Sequence, residues 1–487
     1  MVMKPTIMKF GGTSVEDANA FRNVAKIVLA AADAKPVVVV SAISGFTNSL
    51  LKSVDRAFRG DPRNASRVLE PDLARHVAIA GELLNADATA TFEQALAAAR
   101  AEIRQLHRII AAHPVTTPPL QDEIVAYGEQ LSSQLLAAVL REHGLAARQI
   151  DARRCIKTDE SYGTASPLSE SEQSTRNEVL PQLESSKTPV LGGFIGSTMS
   201  GVTTTLGRGG SDYTAALVGA ALDAREIQIW TDVSGVLTAD PRVVPEAKTI
   251  PVLSYQEAAE LAYFGAKVLH PKTIQPAIDK NIPVRVCNSR AANDAGTRIV
   301  PESEAAPQTI KAIAHKNGIT TVQVTSARML GAYGFLRKLF EVFDKHQTAV
   351  DVVTTSEVSV SLSIDDASTL TELVPDLEEL GTVEVERDRT IISVVGEGLR
   401  NTPGIAAKVF SVISDINVSM ISVGASSVNL TFMVDAEHAA EAITRLHRVC
   451  FEQSTDTAGK AAVPTGPLSD VRATAPISPT VRRSSSG

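Results

Sequence analysis

Residues 191–232 read LGGFIGSTMSGVTTTLGRGGSDYTAALVGAALDAREIQIWTD, and the fold turns on how this stretch divides. The apolar, glycine-spaced run at 190–195 predicts a buried strand. A polar turn follows, then Leu206-Gly207-Arg208-Gly209-Gly210-Ser211-Asp212, then an alanine-rich segment at 213–224 that predicts a helix. A second short strand at 227–230 ends in Thr231-Asp232. Three glycines around one arginine, immediately before a helix, suit an anion. Glycine lets backbone N–H groups converge without Cβ clashes, and a helix N-terminus adds partial positive charge. Arg208 offers a planar fork for a carboxylate or phosphate. The plainer alternative is a glycine-rich turn in which Ser211 or Asp212 simply caps the helix.

The same rhythm starts the chain. Residues 6–10, TIMKF, predict a strand leading into Gly11-Gly12-Thr13-Ser14; a helix follows at 21–32, and Val37-Val38-Val39-Val40 predicts a parallel strand covered on both faces. That strand ends in the polar loop 41–48. Strand, glycine loop, helix, strand describes an α/β domain, whose ligands sit at the carboxyl ends of the strands. Residues 49–112 have a helical pattern that Pro118-Pro119 closes. A further helix is expected at 121–143, carrying Glu129 either as a solvated carboxylate or, given its small polar neighbours, as a site residue. Strands are expected at 149–156 and 283–287, and a helix at 254–261.

From residue 310 the character changes. Strand, helix, strand, strand, helix, strand at 320–386 is a βαββαβ order, and 391–449 begins it again. The second copy lacks a last strand, which 310–314 would supply. Boundaries are expected at 1–300, 315–388 and 389–453, the last completed by 305–314. The Ser-, Thr- and Pro-rich segment 454–487 is expected to be disordered.

Bulk properties narrow the function. The formal charge of −8 and the lack of a basic block argue against nucleic acid as a partner. No apolar run approaches the ~18 residues of a membrane span, and the start resembles no signal peptide. Cys155, Cys287 and Cys450 are scattered without metal-site spacing, which suits a reducing cytoplasm.

Three motifs in order, Lys9-Phe10-Gly11-Gly12-Thr13-Ser14, Thr203-Thr204-Thr205-Leu206-Gly207-Arg208-Gly209-Gly210-Ser211-Asp212 and Phe264-Gly265-Ala266-Lys267-Val268-Leu269-His270-Pro271, resemble the aspartokinases over residues 6–452. The arrangement is similar to that of the monofunctional, lysine-inhibited members. The resemblance implies an amino-acid kinase fold, a three-layer αβα sandwich with a mainly parallel sheet, followed by two ACT modules. It implies ATP with Mg²⁺ and L-aspartate as reactants, 4-phospho-L-aspartate as product, and a homodimer or dimer of dimers joined through the ACT modules. Lys9, Asp212 and Arg208 would be catalytic. Ser41, Thr47, Glu129 and Arg208 would hold aspartate. Lys9, Gly11, Gly12, Thr231, Asp232, Arg242, Lys267 and Val268 would hold ATP. Met329, Phe335, Leu336, Val350, Asp351, Ser356 and Glu357 would hold lysine as effector; no residue is assigned to a metal. Two positions depart from the family pattern: Leu237, where relatives often carry tyrosine, and Ala332, where serine is common. The rivals are a kinase for another amino acid, such as glutamate, and a non-catalytic amino-acid sensor; the motif set and the presence of Lys9 and Asp212 weigh against them.

Overall fold

A computed structural model describes residues 4–265, 269, 271–301 and 310–452. Lys267, Val268, residues 305–309 and the tail 454–487 lie outside the described residues. The first half is built on an eight-stranded sheet. Its strands are β1 (Thr6–Phe10), β2 (Pro36–Val40), β3 (Ala147–Ile150), β4 (Thr188–Gly192), β7 (Glu226–Thr231), β8 (Val252–Ser254), β9 (Val284–Asn288) and β10 (Thr297–Val300), with a separate hairpin of β5 (Ile195–Ser197) and β6 (Thr203–Thr205). The order is β3-β4-β2-β1-β7-β9-β10-β8. The pairs are parallel except β9 with β10. The central strands are fully buried, as unbroken β-branched runs require when helices cover both faces. One hydrophobic cluster, around Phe21, Phe46, Leu50 and Leu136, fills one face; a second, around Ile7, Val39, Ala215 and Ile229, fills the other.

Several expectations need correcting. The run 190–195 is not one strand. It breaks after Gly192, and Phe194 takes a left-handed φ of 66° before the β5–β6 hairpin begins. Residues 152–155 form a helical turn (Ala152–Cys155), not the continuation of β3. Pro118-Pro119 opens the helix Thr117–Glu142 instead of closing a segment, because proline's missing N–H costs nothing in a first turn. Neither Ser211 nor Asp212 caps the helix Gly210–Ala221; its N-cap is Gly209, at φ 73°, with no side-chain cap.

The second half is one six-stranded antiparallel sheet of β11 (Ala312–Thr325), β12 (Val353–Thr355), β13 (Ser359–Ile364), β14 (Thr382–Val395), β15 (Met420–Val423) and β16 (Asn429–Asp435), ordered β12-β13-β11-β14-β16-β15. β11 and β14 run through both modules. Ala312 pairs with Val395 at one end and Thr325 with Thr382 at the other, across an irregularity between Lys316 and Thr321. Helices Phe335–Lys345 and Leu370–Glu378 pack on one half of the sheet, and Ile405–Val412 and Ala436–His447 on the other. Among the described residues no helix is long and apolar enough to cross a membrane.

Candidate active site

The carboxyl ends of β1, β2, β4 and β7 converge, and the backbone ladder continues past them. Gly11 N–H donates to Trp230 O (3.1 Å), Ser41 N–H to Phe10 O (3.0 Å) and Gly193 N–H to Val40 O (2.9 Å). These bonds hold four loops around a cleft of about 530 Å³, lined by Lys9, Gly11, Gly12, Ser41, Thr47, Glu129, Gly207, Gly209, Asp212, Thr231 and Asp232 among others. Every residue expected on the aspartate side is thus gathered here except Arg208. Arg208 is exposed between the lining glycines Gly207 and Gly209, and makes no hydrogen bond or ion pair among the described residues.

Lys9 stands inside the sheet, facing Val39 and Ile229 across the ladder, and only 9% of it is exposed. Its ammonium forms an ion pair with Asp212 Oδ1 at 2.7 Å, one turn into the uncapped helix Gly210–Ala221. The helix end thereby stays open to an anion while its first turn holds the lysine in place. That helix comes close because residue 193 has no side chain: a Cβ there would lie 2.7 Å from Ser211 Cβ. Gly11 does not offer its N–H to the cleft. Its N–H is engaged by Trp230, and a Cβ on it would stand 3.6 Å from Lys9 Nζ.

Glu129 is not a solvated carboxylate: it is 3% exposed and lines the cleft. One carboxylate oxygen accepts from Ala42 N–H at 3.2 Å, and the other has no partner among the described residues. Burial is the dominant influence, and it pushes the carboxyl up to about 8. A buried, half-satisfied carboxyl in a cleft is a ready receptor for a cationic group.

Thr231 and Asp232 also border a second cleft, of about 720 Å³, lined by Gly235, Leu237, Asp240, Arg242, Leu261, Gly265 and residues 313–317 of β11. Arg242 lies here, its guanidinium forked onto Asp240 at 2.6–3.1 Å. Leu237 is a wall of this cleft. The two clefts meeting at Thr231-Asp232 can hold a small acid on one side and a nucleotide on the other.

The residues expected to hold an effector lie in the β11–β14 part of the second half. Met329 ends a short turn after β11, and Phe335 and Leu336 open the helix Phe335–Lys345. Met329, Phe335 and Val350 share one apolar cluster. Exposed Ser356 and Glu357 form the β12–β13 turn, which Ser326 N–H ties to the Met329 turn through Val358 O at 2.8 Å. Asp351 follows Val350 of that cluster and meets the catalytic half, where the Tyr263 hydroxyl donates to it. Ala332 N–H donates to Met329 O at 3.1 Å.

Sequence reading missed Phe194, whose left-handed backbone turns the chain from β4 into the hairpin. Thr214 Oγ1 accepts from Phe194 N–H (3.0 Å), and Leu206 N–H donates to the Phe194 carbonyl (2.9 Å). It also missed Asp122, which accepts from Gly163 N–H and from Thr205 N–H and Oγ1 at 2.8–3.0 Å and so fixes the strand entering the glycine loop. A phenylalanine in an apolar run and an acid near a helix start carry no local sign of either role.

A parallel sheet with a lysine in its first strand, paired to an acid at a glycine-loop helix, defines a small-molecule phosphotransferase of the amino acid kinase family, whose family model matches residues 4–288. An ACT domain matches residues 392–449. The chain is 40% identical to aspartokinase 3, chloroplastic, of Arabidopsis thaliana over 92% of its length and 82% of that protein. It is 38% identical to lysine-sensitive aspartokinase 3 of Escherichia coli, covering 92% of the chain and 99% of that protein. The crystal structure of E. coli aspartokinase III with aspartate and ADP superposes with a TM-score of 0.78 at 37% identity, over 92% of this chain and all of that one. The chain belongs to the aspartokinases.

Proposed function

We propose that the protein transfers the γ-phosphoryl group of ATP to the side-chain carboxylate of L-aspartate, giving 4-phospho-L-aspartate and ADP, as the first step toward lysine, threonine and methionine. The observation that carries this reading is the pairing of opposite demands in one cleft: the Lys9 ammonium for the phosphoryl group, and the unpartnered oxygen of buried Glu129 for the substrate's ammonium. A carboxylate oxygen attacks the γ-phosphorus and the bond to the β,γ-bridging oxygen breaks. The nucleophile is already ionised, so no proton must be removed, and the work is positioning and charge. Lys9, steadied by Asp212, balances charge on the transferring oxygens. The open helix N-terminus at Gly210 supports the same charge. Ser41 and Thr47 would orient the amino acid, and Arg208 would swing in to its α-carboxylate. Thr231, Asp232, Arg242, Lys267 and Val268 would hold the nucleotide, with Mg²⁺ arriving on its phosphates.

Residues 1–300 would form the catalytic domain, and 315–388 and 389–453 two regulatory modules. Lysine would inhibit through Met329, Phe335, Leu336, Val350, Asp351, Ser356 and Glu357. The E. coli aspartokinase III structure with lysine and aspartate, alike at a TM-score of 0.78 and 37% identity, supports this reading. The exposed outer strands β12 and β15 would pair copies of the chain into a homodimer or dimer of dimers. The test is hydroxamate formation with ATP, hydroxylamine and either aspartate or glutamate, with and without lysine. Product with aspartate, suppressed by lysine, is expected; product with glutamate alone refutes the substrate, and indifference to lysine refutes the effector.

A further inference from the structure

Lys316 lies on β11 where that strand lines the second cleft, and its ammonium is turned into an acidic cluster. It stands 3.2 Å from Asp351 Oδ2, is ion-paired with Asp365, and sits 4.8 Å above the Tyr263 ring. The Tyr263 hydroxyl donates to the other oxygen of Asp351. The Asp351 side chain is 5% exposed, and Lys316 and Tyr263 engage one oxygen each. Tyr263 is the last residue of the helix Tyr255–Tyr263. Two residues on, Gly265 has φ 122°, and a Cβ there would fall 2.2 Å from His315 O, so the chain leaving this helix is pressed against β11. Catalytic helix, regulatory strand and Asp351 thus meet at one point.

A carboxylate already holding an ammonium at 3.2 Å cannot take a second without displacing the first, because the two cations repel and compete for the same oxygens. From this we infer that Lys316 competes for the cation place of the effector site, and that free lysine binds by displacing it. The inference rests on the reading of Asp351 as an effector residue. It says how occupation of that residue is felt in the cleft: displacement frees a cation on the strand that lines the second cleft and takes it off the Tyr263 ring, above which it now sits at 4.8 Å. Effector affinity is lowered by the fraction of molecules in which Lys316 holds the place.

The experiment is calorimetric titration of L-lysine at pH 8 into the full chain and into Lys316→Met, Lys316→Gln, Lys316→Arg and Glu357→Lys variants. Removing the internal cation should tighten lysine binding by about fivefold, the worth of one part-exposed ion pair. The Met and Gln variants should both show this, while Lys316→Arg, which keeps a cation, stays near the parent. Unchanged or weaker binding in the Met and Gln variants overturns the inference. If the parent binds lysine and Glu357→Lys abolishes it while Lys316 is indifferent, the effector reading stands and this inference alone falls. A parent that binds no lysine overturns both.

Discussion

Glu129 makes the cleft sensitive to pH, and its surroundings set the size of the effect. The side chain is 3% exposed, one oxygen is held by a single N–H at 3.2 Å, and burial lifts the carboxyl from 4.5 to about 8. In the proposed reaction it must be ionised to receive the aspartate ammonium. With a pKa near 8, about 3% of molecules are ionised at pH 6.5 and about three-quarters at pH 8.5, so the binding-competent fraction grows roughly 25-fold. The KM for aspartate should fall by about that factor across this window, while the KM for ATP stays nearly level. Glu129→Gln is neutral throughout. It should flatten the profile and, at pH 8.5, raise the KM for aspartate by ~30-fold, the ~2 kcal/mol of a hydrogen bond to a charged group.

Stability supplies a readout without substrate. A carboxyl whose folded pKa is raised favours the native state below its unfolded value, and that advantage is lost as pH rises through the folded value, here from 4.5 to about 8. The whole gap corresponds to roughly 5 kcal/mol as an order of magnitude, or about 1.4 kcal/mol per pH unit. Denaturant unfolding between pH 6 and 8 should show the parent losing stability relative to Glu129→Gln at about that slope. A parent whose aspartate KM is flat over pH 6.5–8.5, or a variant that keeps the parent's slope in both measurements, would refute the reasoning.

Three further outcomes are expected. Lys9→Ala should lower kcat by roughly 10²–10³-fold through loss of a preorganised charge, and a rate within threefold of the parent would remove Lys9 from the mechanism. Arg208→Lys keeps charge but loses the fork, so steady-state kinetics should show a higher KM for aspartate with the KM for ATP unmoved. Lys311→Met leaves Glu257 buried without the ammonium that now stands 2.7 Å from it, and should cost about 3–5 kcal/mol in denaturant unfolding, much of it recovered by adding Glu257→Met.

What could be read in the sequence was what is decided locally. TIMKF and Val37-Val38-Val39-Val40 are strands because β-branched runs bounded by glycine or proline have few other uses, and β1 and β2 sit there. The glycine loop before 213–224 was legible for the same reason, and with it the positions of Lys9 and Asp212. β8 and β10, three and four residues long, were not, since so short a run has no period to detect. The continuity of β11 and β14 was hidden too. Gly318 at φ 75° and Asp388 at φ 56° mark breaks in the pattern, yet the strands pass through them because each pairs with a partner some seventy residues away. The family resemblance points to Asp351 as an effector residue, but its contact with Tyr263, 88 residues earlier, is a fact of packing alone.

The same packing supplies the route by which the second half would act on the first in the proposed regulation. The loop bearing Leu237, Asp240 and Arg242 does not hang free beside the second regulatory half; it is built into it. Ile313 N–H donates to Thr238 O at 2.8 Å, and Thr238 Oγ1 is hydrogen-bonded to buried His447 Nε2 at 2.9 Å. Ala239 and Val244 belong to the same apolar cluster as Leu430, Phe432 and Leu446. Glu257, which caps its own helix through Ser254, is 0% exposed and joined to Lys311, so an ion pair out of water fixes the register between helix and sheet. Densely packed elements shift between discrete arrangements instead of yielding gradually. A displacement of β11 relative to the helix Tyr255–Tyr263 therefore carries the loop with it and changes the shape of the second cleft. In the proposed reaction the nucleotide side would then be the side a regulatory ligand reaches first, and the Lys9–Glu129 cleft would follow through Thr231 and Asp232, which the two clefts share.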